Sequence, residues 1–517
     1  PYVACTVAAM PDRVFTGLLI NPPDGFTYLA KMRMGWEGNW LYHLPFTLER
    51  GPGAFLFSYY FALGHLARIA DMPLPVMYHV ARLAGGAALM WTAYWVAASM
   101  TEVTSLRKLM WWLVTFSSGF GWIPLKFGLG YSYYDQQVIA YASAFYGLVA
   151  NPHFPLAMAV MLLMYLHLFR YQQSLSLRGL ATLSVLSLGL LILIPFMPVV
   201  LYLVAGAASA AMWWRDGRLP RVQFASILIV GSITAVCLIG MQLQINADFT
   251  FKVLATQAKT PTPGFLGMLL SYGLLWPFAI IGMVSAWRRR RDWDFVLLAW
   301  VCLVLPLSYV PYHMQWRFLL GLHIPMAILA AQGLVRSIRP AVPRRLVVAA
   351  MMSSSVYIVA HLIMSKASVA TATVHYPLTY LSADEAAALT WLRTKVPVSD
   401  AVFAGPEMNF FIPAYAGQRV VAGHGVETFD APRKSKLVAD FFAGTLDRAA
   451  LLRDLSIDYV VIGPRDRARG ALDPATLPVQ LEFTSGDVGV YKVERRPIAG
   501  KQDGAQAAMP GLRGRGG

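Results

Sequence analysis

Charge is what this sequence has least of. Only 14% of its 517 residues are Asp, Glu, Lys or Arg, against 57% hydrophobic, where soluble domains carry nearer a quarter charged. Mean hydropathy is accordingly +0.51. That balance argues against a water-soluble globule and for a bilayer as the main solvent. Cysteine is almost as scarce: Cys5, Cys237 and Cys302 all lie in apolar segments and lack C-x-x-C spacing. This argues against a disulfide framework and against a thiolate metal site. Acidic residues are outnumbered, 27 against 43 Lys plus Arg, giving a net charge of +16. No basic stretch with interleaved aromatics accompanies that charge, so no nucleic acid is expected as a partner. Nor is there an internal repeat of the kind transporters show.

What is present is a series of apolar runs of about 17–25 residues, the length that crosses a hydrocarbon core. They fall near Val76–Met100, Leu109–Leu125, Phe154–Phe169, Gly179–Ile194, Pro198–Trp214, Val222–Leu243, Phe265–Trp287, Trp293–Val310, Phe318–Val335 and Leu346–Met364. Pro1–Met10 is too short to cross and reads as the end of a span that begins upstream. Every second connecting loop is basic, Arg288–Arg291 most of all, and is assigned to the cytoplasm. The alternate loops hold the Pro, Asn, His and aromatic residues and face outward. By that parity residues 11–75 form one long external loop, in which Pro52–Ala70 is a helix lying in the interface. The expected fold is thus an α-helical polytopic membrane protein with about eleven transmembrane helices, set in the inner (plasma) membrane.

Beyond Met364 hydropathy falls. Ser382 and Glu385 form a capping box opening a helix to about Lys395. Short strands are expected at Asp400–Ala404, Arg419–Ala422, Asp458–Ile462, Val479–Phe483 and Val488–Val493, with helices near Arg433–Ala443 and Asp447–Leu455 between them. The division is a transmembrane part over 1–375, a small extracytoplasmic α/β domain over 376–495, and a Gly- and Arg-rich disordered tail over 496–517.

The external loop opens with Asn21-Pro22-Pro23-Asp24-Gly25-Phe26-Thr27-Tyr28, followed by Lys31 and then Gly38-Asn39-Trp40-Leu41. The two prolines put Asp24 at a helix N-cap, with Tyr28 and Lys31 on its side by i+4 and i+7 spacing. Asp24 has two readings: a cap, or a carboxylate held at the membrane surface to deprotonate an acceptor hydroxyl.

Asp24, Tyr28, the Gly38-Asn39-Trp40-Leu41 turn, Pro45 and Gly51-Pro52 opening an aromatic helix together resemble the first external loop of GT-C glycosyltransferases, such as protein O-mannosyltransferases and aminoarabinose transferases. Gly25 stands where many relatives carry a second acid, and Asn39 replaces the Asp of the turn. The resemblance implies transfer of a sugar from a polyprenyl-phosphate donor to an extracytoplasmic lipid, glycan or protein. It implies Asp24 as the base and cations for the departing phosphate. Candidates for that second role are His313 and Arg317, at an external span boundary, and Lys252 and Lys259, in the loop Gln244–Pro263. Arg317 also fits an interfacial anchor, and the lysines a solvated loop. Asp135 and Asn151-Pro152-His153 can line the same cavity, or Asn-Pro can simply turn the chain. His424, between Gly423 and Gly425 after a strand, fits a substrate contact or a surface turn. A divalent metal is left open. The rival classes are a transporter or lipid flippase, and a non-catalytic scaffold whose external domain binds glycans; membrane lipids are partners of all three.

Overall fold

A computed structural model describes residues 1–127, 143–258, 261–262, 264–312, 315–366, 377–470 and 472–494. Helices dominate up to Lys366, and the sheet lies near the C-terminal end. Three helices, His153–Tyr171, Met197–Asp216 and Arg221–Ala247, are each long and apolar enough to cross a membrane; two bent helix pairs bring the number to five among the described residues. The apolar runs are therefore less continuous than their hydropathy suggests. The run Phe265–Trp287 bends by 85° between Phe265–Tyr272 and Leu275–Arg289. Gly273 makes that turn at φ +50°, a backbone that side chains other than glycine resist. The run Leu346–Met364 bends by 46°. The run Leu109–Leu125 breaks after Phe116, and Phe318–Val335 becomes α-helical only from His323.

Close helix approach depends on glycine at two crossings. Helices Leu275–Arg289 and His323–Ser337 meet so tightly that a Cβ on Gly282 would lie 2.0 Å from the Leu329 carbonyl oxygen. Near the N-terminal end, Pro22–Trp36 crosses Ser58–Ile69, where a Cβ on Gly64 would lie 2.0 Å from the Met32 oxygen and one on Gly35 2.3 Å from the Phe61 oxygen. At 12 residues, Ser58–Ile69 extends about 18 Å, short of a bilayer core.

The C-terminal sheet has the order β4-β3-β5-β7-β6. Its strands are β3 (Ala401–Phe403), β4 (Arg419–Val420), β5 (Tyr459–Ile462), β6 (Val479–Ser485) and β7 (Val488–Val493). β3 runs parallel to β4 and β5, and β7 antiparallel to β5 and β6. Every residue of β5, Tyr-Val-Val-Ile, is buried, the mark of a strand covered on both faces. The capping box at Ser382 and Glu385 forms in both directions and opens the helix Ala383–Lys395. Arg465 clamps its start, donating from Nε to Glu385 Oε1 at 2.7 Å and from Nη2 to the Tyr380 carbonyl at 2.8 Å.

Two strands not expected from sequence tie the chain's ends together. β1 (Arg13–Phe15) pairs antiparallel with β2 (Tyr380–Ser382), Val14 opposite Leu381. The core is also shared: Phe26, Leu29 and Met32 of the first-loop helix are buried with Val402, Phe411, Val461 and Val490 of the C-terminal unit. The Phe26 ring meets Phe411 edge-on at 5.1 Å. Two segments in one core stand on one side of any membrane.

Gly64→Ala should lower the melting temperature of the detergent-solubilised protein, as overpacking costs about 1–3 kcal/mol. Gly240→Ala, with nothing within 4 Å of the added carbon, should leave the melting temperature equal or higher. Equal behaviour of the two variants would contradict the tight crossing.

Candidate functional site

The first-loop helix starts earlier than the sequence suggests. Its N-cap is Asn21, in the left-handed region at φ 44°, and Pro22 and Pro23 occupy the first helical positions, where the absent N–H is not needed. Asp24 is therefore the third helical residue and not the cap. Its carboxylate is turned to long-range partners: Oδ1 lies 3.0 Å from His424 Nε2, and Oδ2 accepts from Asn21 Nδ2 at 2.5 Å. Gly25 follows because a Cβ there would lie 2.8 Å from the Leu18 side chain.

His424 reaches Asp24 from the loop after β4. A Cβ on the preceding Gly423 would meet the Phe46 ring at 2.4 Å, so glycine lets this loop lie against Phe46. The loop is held from the far side by Gln257, whose Nε2 donates to the Thr428 carbonyl at 2.8 Å. His424 is nearly enclosed, with 14% of its side chain exposed, while Asp24 keeps 41%. The Asp24 carboxylate is thus gripped on one side and open on the other.

Burial pushes the Asp24 carboxyl up, but the His424 hydrogen bond and the positive charges of His424, Arg317 and Lys31 outweigh it and hold the group below the usual carboxylate range. Asp24 is accordingly ionised throughout the neutral range. Arg317, in the one-and-a-half-turn 3-10 segment Gln315–Leu319, is thereby brought into the field of a residue almost 300 positions earlier.

Lys31 is fully buried. Its Nζ lies 2.7 Å from Glu427 Oε1 and 4.3 Å, 4.9 Å and 5.4 Å from the ring centres of Phe57, Tyr42 and Tyr28. Burial lowers the amine's pKa against the opposing pull of Glu427 and Asp24. The enclosed ammonium ties the helix Pro22–Trp36 to the loop that carries His424 and Glu427. Glu427 was missed, although it stands three residues after His424 in the same loop; a buried cation on one side of a core requires an acid on the other.

Tyr28 stacks on Tyr60 at 4.4 Å with the rings 10° apart. The Tyr60 hydroxyl is 2.6 Å from His153 Nδ1, and His153 sits edge-on to Tyr28 at 5.1 Å. Asn151 accepts from the Tyr78 hydroxyl at 2.7 Å. The Pro22–Trp36 and Ser58–Ile69 helices and the start of the His153–Leu166 helix therefore meet in a wall of aromatic rings. Lys252 is exposed on the helix Phe249–Gln257, and it is Gln257 of that helix that reaches the His424 loop. Lys259, His313 and Asp135 lie outside the described residues. Among the described residues no group of three or more His, Cys, Asp or Glu is arranged to hold a metal ion.

The helix Pro22–Trp36, packed into one core with the C-terminal α/β unit, is the arrangement to set against known proteins. No protein-family model and no curated protein matches the sequence. Solved structures do. ArnT from Cupriavidus metallidurans bound to undecaprenyl phosphate matches with a TM-score of 0.53 at 13% identity, over 97% of this chain and 97% of that one. ArnT from the same organism in the apo state gives 0.53 at 12%, over 95% and 96%. The Archaeoglobus fulgidus oligosaccharyltransferase tethered with an acceptor peptide gives 0.46 at 12%, over 89% and 68%. At such identities the likeness to ArnT is one of fold.

Removing one partner of the buried pair should be far worse than removing both. Glu427→Gln leaves the Lys31 charge without its acid, a loss of about 3–5 kcal/mol for a buried pair, while Lys31→Met combined with Glu427→Leu should recover much of it. Melting curves of the wild type, Glu427→Gln and the double variant at equal detergent decide this; a double variant no more stable than Glu427→Gln would show that the two residues act separately.

Proposed function

We propose that this protein is a membrane glycosyltransferase that moves a sugar from a polyprenyl-phosphate-linked donor to an acceptor on the extracytoplasmic side. The observation that carries the reading is the half-open Asp24 carboxylate, gripped by His424 on one side and kept ionised by nearby positive charge. The fold likeness to ArnT, whose structure was solved with undecaprenyl phosphate, supports the same class of donor.

In this reading the acceptor hydroxyl oxygen attacks the sugar's anomeric carbon while the bond from that carbon to the phosphate oxygen breaks. The bonding electrons leave with the phosphate, whose growing charge falls in the field of Arg317. The hydroxyl proton passes to Asp24. A carboxylate held below its ordinary pKa is a weak base in the ground state, and becomes adequate because the hydroxyl grows acidic as its oxygen bonds to carbon. His424 and Asn21 each occupy one carboxylate oxygen and fix its plane. A second lone pair on each oxygen is left for the acceptor. Tyr28, with Tyr60 behind it, offers a flat apolar face to a sugar ring or to the first isoprene units. The first loop and the C-terminal unit together form the extracytoplasmic part.

Transfer from a lipid-linked sugar pool, in membranes holding each variant at matched abundance, tests this. Asp24→Asn should lose at least about 100-fold in rate, and Arg317→Ala should weaken donor use, a guanidinium being able to pair two phosphate oxygens. Because the Asp24 pKa is lowered by His424, Arg317 and Lys31 against the cost of burial, the acid limb of the rate profile should lie below the range of an ordinary aspartate. His424→Gln removes the largest lowering influence and should move the limb upward. Near-normal transfer by Asp24→Asn would sink the assignment.

A further inference from the structure

A cavity of about 280 Å³ opens on the opposite side of the first-loop helix, away from Asp24. Arg33, which lines it, lies nine residues after Asp24, hence about 14 Å along the axis and half a turn round. Its walls include Trp36, Leu74, Leu381 and Leu389, and two of its lining residues, Arg33 and Arg393, are cationic. Leu74 opens the 27-residue helix Leu74–Met100, so the cavity sits where the chain first turns into a long apolar helix. β1 and β2 supply the remaining apolar wall through Val14, Phe15 and Leu381.

The charge inside is poorly compensated. Arg33 is buried, with 7% of its side chain exposed. Nη2 donates to the Tyr415 carbonyl at 3.2 Å and Nη1 lies 3.5 Å from Glu37 Oε1, while Nε is buried without a hydrogen-bond partner. Burial and the like charge of Arg393 work against the Arg33 cation, and Glu37 works for it. Arg393 is exposed at the mouth. A fold that buries a guanidinium with an unmet donor, beside a second guanidinium, has room for an anion between them.

We propose that this cavity binds the phosphate of an anionic membrane lipid, with the headgroup between Arg33 and Arg393 and the proximal chain along the leucine wall. The apolar lining favours an amphiphile over a free anion, because a hydrated phosphate gains nothing from leucine side chains. Two cations against the single acid Glu37 favour a headgroup of net negative charge over a zwitterion. The lipid would brace the β1–β2 ribbon against the start of the helix Leu74–Met100, acting on stability and not on the reacting atoms.

The test measures the melting temperature of the full-length detergent-solubilised protein against short-chain phosphatidylglycerol, phosphatidylcholine of the same chains, and inorganic phosphate. A ligand bound to the native state raises the melting temperature in a saturable way. Phosphatidylglycerol should do so, and the other two should do so weakly. Arg33 is built into the core, so the variants are made at Arg393 and at Thr390, which also lines the cavity: Arg393→Gln removes a charge-assisted contact and Thr390→Glu adds a charge that repels the phosphate, and each should raise the half-saturating lipid concentration by at least about tenfold. A phosphatidylglycerol response that is not saturable, or that is unchanged in both variants, overturns the proposal. Inorganic phosphate matching the lipid overturns the lipid assignment and leaves a soluble anion in its place.

Discussion

The contact between Lys31 and Glu427 is the constraint on which the rest of this structure hangs. An ammonium removed from water is tolerated only where an acid meets it, and here the acid comes from a loop 396 positions away. Once the pair is formed, the helix Pro22–Trp36 cannot rotate without stranding a charge among Phe57, Tyr42 and Tyr28. Its register fixes which face Asp24 presents, and hence that His424, three residues before Glu427, can reach it. Packing of Phe26 and Met32 into the same core supplies adhesion, but apolar contact is not directional. The ion pair supplies the direction.

The same helix divides its faces by chemistry. One carries Asp24 and Lys31 and looks to the His424 loop and Arg317; the other carries Arg33 and looks to a cavity walled by β1, β2 and Leu74. Glycine makes the close quarters bearable on both flanks: Gly25 beneath Leu18, Gly35 and Gly64 at the crossing with Ser58–Ile69. An arrangement this crowded leaves few positions where a larger residue fits without moving the carboxylate.

Much of this was legible in the sequence, and what was not has a physical reason. The Ser382 and Glu385 capping box, the strands from Ala401 to Val493 and the helix after Pro22 follow from local preferences that act within a few residues. Pro-Pro reads locally as the lead-in to a helix capped by Asp24, whereas in the structure the two prolines are the first helical residues and Asp24 is the third. The bend at Gly273 vanished in a hydropathy average, which registers apolarity and not backbone direction. β1 and β2 were invisible because three-residue strands have no period to detect and their partners are far apart. Glu427 was in view and unassigned, since nothing local says that its charge will be buried. His153 meets the Tyr28–Tyr60 pair, a contact across more than 90 positions that no local pattern encodes.

The separation of about 400 positions between Asp24 and His424 also sets a clock. At a synthesis rate of about 5–20 residues per second, the first-loop helix waits roughly 20 to 80 s for the segment that completes it. During that interval Lys31 lacks its acid and Asp24 its histidine, and Phe26, Leu29 and Met32 lack the part of their core that Val402, Phe411, Val461 and Val490 supply. The nascent chain therefore carries an unfinished core. The site proposed around Asp24 does not assemble by increments as the chain lengthens: it waits for the one loop that carries both His424 and Glu427.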